Sequence, residues 1–176
     1  MRIIFVLLMV ALIPVAKGQD FCSLINKDVS PGKTIFDYTS PYDPSNPPTV
    51  RVARSFGTDP DFATDNFFVI FQIAGDLETI YQKTDTGEIE KDEHKLVVIF
   101  DDNSKIVADT IKVSHDFTDD RTQAIRYVYY PLTEPTIKDF STKKIAKFSL
   151  AGYEQTVAAD SANAIEHYVQ CMKALK

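Results

Sequence analysis

Apolar residues along this chain recur in short runs with two different periods. Phe67-Phe68-Val69-Ile70-Phe71 is a continuous aromatic and β-branched run, the pattern of a central strand buried on both faces. Leu96 to Phe100 is a second such run. Elsewhere the period is two, as expected of strands with one wet face. Val50 and Val52 oppose Arg51 within Thr49–Phe56, and Ala146, Phe148 and Leu150 oppose Lys147 and Ser149 within Lys143–Leu150. Lys33–Tyr38 and Ala124–Tyr130 also read as strands. Period 3.6 is sustained only at the end, where Ile165, Tyr168, Val169, Met172 and Leu175 form one stripe across Ala159–Lys176. Asp160 or Ser161 is expected to cap this amphipathic helix. A shorter helix is expected over Glu134–Phe140, begun by Thr133 and Pro135.

The segments between these runs carry turn chemistry. Asp101-Asp102-Asn103-Ser104 separates two apolar arms, the second reaching Val113, and is the clearest hairpin. Pro31-Gly32 and Gly75-Asp76 are expected turns, Gly152 another, and Asp20–Asp28 a short helical turn. Four prolines between Pro41 and Pro48 exclude helix and sheet pairing, which predicts an extended loop. Gly57–Asp65 and Asp116–Thr122 read as polar loops, and Thr84–Glu93 as a hairpin tip following a segment at Leu77–Gln82. Many short strands followed by a closing helix predict an α+β fold: a mostly antiparallel sheet of hairpin-connected strands, covered on one face by the C-terminal helix.

The start of the chain changes the picture. Arg2, the apolar run Ile3–Val15, and small residues at Ala16 and Gly18 read as a secretory signal peptide over residues 1–18, cut before Gln19. That run falls short of the roughly 20 residues that span a bilayer, so no stable membrane insertion is expected. Residues 19–176 are then one domain, of a size that can bury a real core. The expected location is periplasmic or extracellular. Loss of Arg2 and Lys17 lowers the formal net charge of −6 by two, so nucleic acid is disfavoured as a partner. In an oxidising compartment the chain's two cysteines, Cys22 and Cys171, are expected to pair and tie its first element to its last.

No motif for catalysis, cofactor or metal stands out, and none is expected. Asp85-Thr86-Gly87 matches the aspartic protease tripeptide but has no second copy, and reads as a hairpin turn. His94, His115 and His167 lack zinc spacing, and Ser114-His115-Asp116 are sequence neighbours whose side chains point apart. The acidic stretches Asp101–Asn103, Asp116–Asp120 and Glu88–Glu93 lack the spacing of a calcium loop. What remains is an aromatic and basic stretch, Arg121 to Tyr130. With Ile125, Tyr127 and Tyr129 turned to the core, Arg126 and Tyr130, near Arg121, would face outward. They are the expected contacts for a protein or peptide partner. The expected function is accordingly a non-catalytic binding module. A small hydrolase with a site assembled around His115 with Asp116 or Glu88 is the alternative, and a structural accessory protein of the cell envelope a further one.

Overall fold

The computed structural model describes residues 21–38, 49–57, 65–76, 94–117 and 122–175. Among these, the strands form two antiparallel sheets. The larger runs β1 (Asn26–Ser30), β2 (Lys33–Tyr38), β3 (Val50–Gly57) and β4 (Asn66–Asp76), then crosses to β8 (Gln123–Pro131) and ends on β7 (Ser114–Phe117). The smaller has the order β10 (Tyr153–Thr156), β9 (Ile145–Leu150), β5 (Leu96–Phe100), β6 (Lys105–Ala108). Helix α1 spans Glu134–Thr142 and helix α2 spans Ala159–Lys173. A 3-10 turn at Phe21–Leu24 opens the described chain. The fold is α+β with the C-terminal helix packed on the larger sheet, as the periodicities predict.

Strand β4 is the spine, paired with β3 over Ser55↔Asn66 to Val50↔Phe71 and with β8 from Phe68↔Pro131 to Asp76↔Gln123. Its odd-numbered residues Phe67, Val69, Phe71 and Ile73 enter the core beside Val50, Val52 and Val128. From the other side come Leu96, Val98 and Phe100 of β5 and Phe148 and Leu150 of β9. The inner faces of the sheets meet where the rings of Phe71 and Phe148 lie 5.0 Å apart, and Phe140 of α1 closes against Phe100 at 5.3 Å. Helix α2 buries Ala162, Ile165, Tyr168, Val169 and Met172 against β3, α1 and the 3-10 turn.

Several local expectations are corrected. The strand does not turn at Gly75-Asp76 but continues through Asp76, because β8 supplies pairing partners that far. The helical turn expected over Asp20–Asp28 ends at Leu24, and Asn26–Ser30 instead pairs with β2. Gly32, at φ 75°, makes that hairpin turn. The arm after the Asp101–Ser104 turn ends as strand at Ala108, and Ser114–Phe117, read partly as loop, pairs with β8. In β9 the register slips opposite Ile99 and Phe100, which buries Ile145 and exposes Ala146, reversing the alternation at that end. Helix α2 begins after Ala158 with no side-chain cap from Asp160 or Ser161. The β9–β10 turn uses Ala151 (φ 51°) and Gly152 (φ 81°), both in the positive-φ geometry that two-residue hairpins favour. Residues 1–18, Pro41–Pro48, Leu77–Gln82 and Thr84–Glu93 lie outside the described residues.

Two ties hold α2 in place. Cys22 and Cys171 are joined by a disulfide across a sequence separation of 149, with Cα atoms 5.5 Å apart. Arg54 of β3 holds the same C-terminal end. Its guanidinium donates to the carbonyls of Met172 and Leu175, the latter at 3.1 Å, satisfying acceptors that the helix terminus leaves open. The same group lies between the rings of Phe56 (4.6 Å) and Phe67 (5.3 Å), and its Nε donates to Asp65 at 2.8 Å.

Loss of the cystine in Cys171→Ser is expected to lower unfolding stability by about 2–5 kcal/mol, measured by denaturant titration. An undiminished midpoint would show that the disulfide adds nothing to folding.

Arg54→Ala is expected to lower stability by about 2–3 kcal/mol, since charge-assisted hydrogen bonds to the helix end are lost. The Arg54 hydrogen bond holds the Asp65 carboxyl below its usual value. A depressed folded-state value adds stability that is present above about pH 4 and lost as pH falls through it. The stability difference between wild type and Asp65→Asn should therefore vanish on acidification. A difference that persists at pH 2 would break the assignment.

Candidate functional site

The pairing of β4 with β8 decides which side chains face outward. Phe71 is opposite Val128, and Ile73 is opposite Arg126. Because paired residues share a face, Arg126, Val128 and Tyr130 point inward with the core set of β4. The expectation that Arg126 and Tyr130 face outward is reversed. Arg126 is only 3 % exposed, and its guanidinium lies 5.2 Å from the ring of Tyr153. A long aliphatic stem and a ring to stack on let an arginine occupy a core position that hydrophobicity alone would assign elsewhere. Tyr130 is half-buried against Phe140, with ring centroids 6.2 Å apart, and burial together with the nearby Asp139 raises its pKa. Arg121 lies outside the described residues. The aromatic set expected inside, Ile125, Tyr127 and Tyr129, is the outer one.

That outer face builds up row by row from the register. Arg51, Ile70 and Tyr129 lie side by side across β3, β4 and β8. On one side of this row stand Asp37, Ala53, Phe68 and Pro131, and on the other Gln72, Tyr127 and Ser114. Tyr129 is 50 % exposed, yet it is held by edge contacts from Phe68 at 5.9 Å and Tyr127 at 5.8 Å. Beneath it Ile70 and Gln72 are buried. The face therefore offers one protruding tyrosine on an aromatic footing, with a charged pair, Arg51 and Asp37, two and three strands away. Burial raises the pKa of Asp37 and the positive charge of Arg51 opposes that rise. One Asp37 carboxylate oxygen and the Arg51 Nε are enclosed without a hydrogen-bond partner. Burial costs the Asp37 charge more than the Arg51 charge returns, an arrangement that lowers stability rather than adding to it.

The other candidate chemistry does not converge. His115 and Asp116 are neighbours in β7 and point to opposite faces of the sheet, Asp116 beside Ile125 and His115 beside Arg126. His94 precedes β5, and His167 lies on α2 with its ring 4.6 Å from that of Phe21. Glu88, Asp85-Thr86-Gly87 and the Glu88–Glu93 stretch fall outside the described residues. In the acidic hairpin turn, Asp102 accepts from the Ser104 backbone at 2.9 Å and pairs with Lys143 at 3.2 Å, so its carboxylate is already used within the fold. Among the described residues, no group of three or more His, Cys, Asp or Glu is placed to hold a metal. Also among them, no helix is long and apolar enough to cross a membrane. No protein family model, curated protein or solved structure matches the chain.

The sequence did carry a signal for Tyr129, as the middle of an aromatic set on alternate residues of one strand. It pointed to the wrong side because both sets on β8 are mixed in polarity, and only the partner strand breaks the tie.

Asp37 gives this face a measurable pH signature. Its folded-state value is raised above the usual 3.8, so at neutral pH its charge opposes folding, and the penalty disappears as pH falls through the raised value toward the unfolded one. Asp37→Asn should melt higher than wild type at pH 7 and at the same temperature below about pH 4. A lower melting temperature at pH 7 would show that the Arg51 pairing outweighs desolvation.

Proposed function

We propose that this is an exported, non-catalytic binding module that engages a protein partner through the outer face of the six-stranded sheet, centred on Tyr129. The observation that carries this reading is Tyr129 itself, half-exposed and fixed by Phe68 and Tyr127. A tyrosine already held in one orientation loses little side-chain entropy on binding and presents both a ring and a hydroxyl, which is why such residues anchor interfaces. Arg51, beside Ile70 in the same row, is of the other residue type enriched at such centres. A sheet face suits a protein surface better than a small ligand, which needs concavity. Export is supported by the leader-like residues 1–18 and by a disulfide, which persists in oxidising compartments.

A photo-crosslinking residue at position 129 is expected to capture a partner from the compartment fluid where the same residue at Val107, on the edge of the other sheet, does not. Against the purified partner, Tyr129→Ala should cost at least about 2 kcal/mol of binding, roughly 30-fold in Kd, with the melting temperature nearly unchanged. Equal affinity of wild type and Tyr129→Ala would reject this face as the binding surface.

A further inference from the structure

A concave site lies away from the outer sheet face, where the start of the described chain meets the C-terminal helix. Phe21 of the 3-10 turn, Tyr38 at the end of β2, and Asp160, Ser161, Asn163, Ala164 and Tyr168 of α2 line a cavity of about 360 Å³. That volume falls within the roughly 300–1,000 Å³ typical of small-molecule sites. The rings of Tyr38 and Tyr168 stack at 3.5 Å and 21°, and Phe21 stands edge-on to Tyr168 at 5.7 Å and 83°. Two aromatic walls therefore meet nearly at a right angle. The disulfide at Cys22 fixes Phe21 in this corner by binding its neighbour to the helix.

The polar groups of the cavity set its preference. Tyr168 is fully buried, and its hydroxyl makes no hydrogen bond of normal geometry. Burial and the adjacent Tyr38 hydroxyl raise its pKa, so it stays a neutral donor and acceptor. The hydroxyl is enclosed and carries no charge into the site. Among the described residues, the lining holds one charged group, the Asp160 carboxylate, and no basic side chain. Asp160, in the first turn of α2, offsets the positive end of the helix dipole that would otherwise favour an anion. Aromatic faces with a carboxylate at the rim select positive charge.

We propose that this corner is a binding site for a small organic cation, an amine or quaternary ammonium carried on an apolar body, with its charge toward Asp160 and its body against Phe21 and Tyr38. The site is independent of the Tyr129 face, so either can fail without the other.

Three probes of similar size and different charge test it on the full chain: benzyltrimethylammonium, benzyl alcohol and benzoate, titrated by NMR while the tyrosine ring and α2 amide resonances are followed. Benzyltrimethylammonium is expected to give saturable shifts at Tyr38, Tyr168 and the start of α2 and to bind about tenfold tighter than benzyl alcohol, with benzoate weaker still. Asp160→Asn, at an exposed position that leaves the fold intact, should lower the affinity for the cation about tenfold and leave that for benzyl alcohol unchanged. Tyr38→Leu should weaken both, and because it also removes a core-edge ring its folding is checked by its amide spectrum. Absence of saturable shifts with the ammonium in wild type, equal binding of all three probes, or wild-type affinity for the cation in Asp160→Asn would overturn the proposal.

Discussion

The register of β4 against β8 is the constraint on which the rest of this structure depends. Side chains alternate along a strand, so a slip of one residue would send Phe67, Val69, Phe71 and Ile73 outward and bring Phe68 and Ile70 in. Both sets are largely apolar, and neither choice is forbidden by β4 alone. What settles it is company. Val50 and Val52 on one neighbour, Val128 on the other and Phe148 from the opposite sheet all fit the odd-numbered set. Once that is fixed, Arg126 has to lie inside and Tyr129 outside, and the functional reading of the sheet follows from packing rather than from the polarity of either residue.

The C-terminal helix depends on that choice too. It lies on the inner face of β3, where Val52 and Arg54 point, and its C-terminal end is held by groups remote in sequence. Near its C-terminus Arg54 completes the carbonyls that every helix leaves unpaired, and the disulfide ties the same end back to the start of the described chain. Near its N-terminus no side chain caps it, and there the fold leaves a cavity rather than a contact. The two ends of one helix thus do different work. One closes the fold and the other stays open to a ligand.

Both proposed surfaces share a physical feature: aromatic rings held by other rings next to polar groups whose hydrogen bonds are incomplete. At the outer face these are Tyr129 with Phe68 and Tyr127, and on the same face, three and two strands away, Asp37 and Arg51. In the corner they are Tyr38 and Phe21 against the ring of Tyr168, whose hydroxyl is enclosed without a partner. Such groups are expensive to leave unpaired in a core.

The sequence by itself determined what depends on local periodicity and turn chemistry. The α+β class, the strands at Lys33–Tyr38 and Leu96–Phe100, the Asp101–Ser104 hairpin, the apolar stripe of α2 and the Cys22–Cys171 bond were all legible, because each is set by residue types a few positions apart or by there being two cysteines to pair. Only the tertiary structure decided the division into two sheets, the pairing of Asn26–Ser30 and Ser114–Phe117, the slip that buries Ile145, and the side of β8 that meets the core. These share a cause. Where a strand carries similar side chains on both faces, or is too polar and short to announce itself, its state is chosen by a neighbour distant in sequence, as β4 chooses for β8 and the ring of Tyr153 makes room for Arg126.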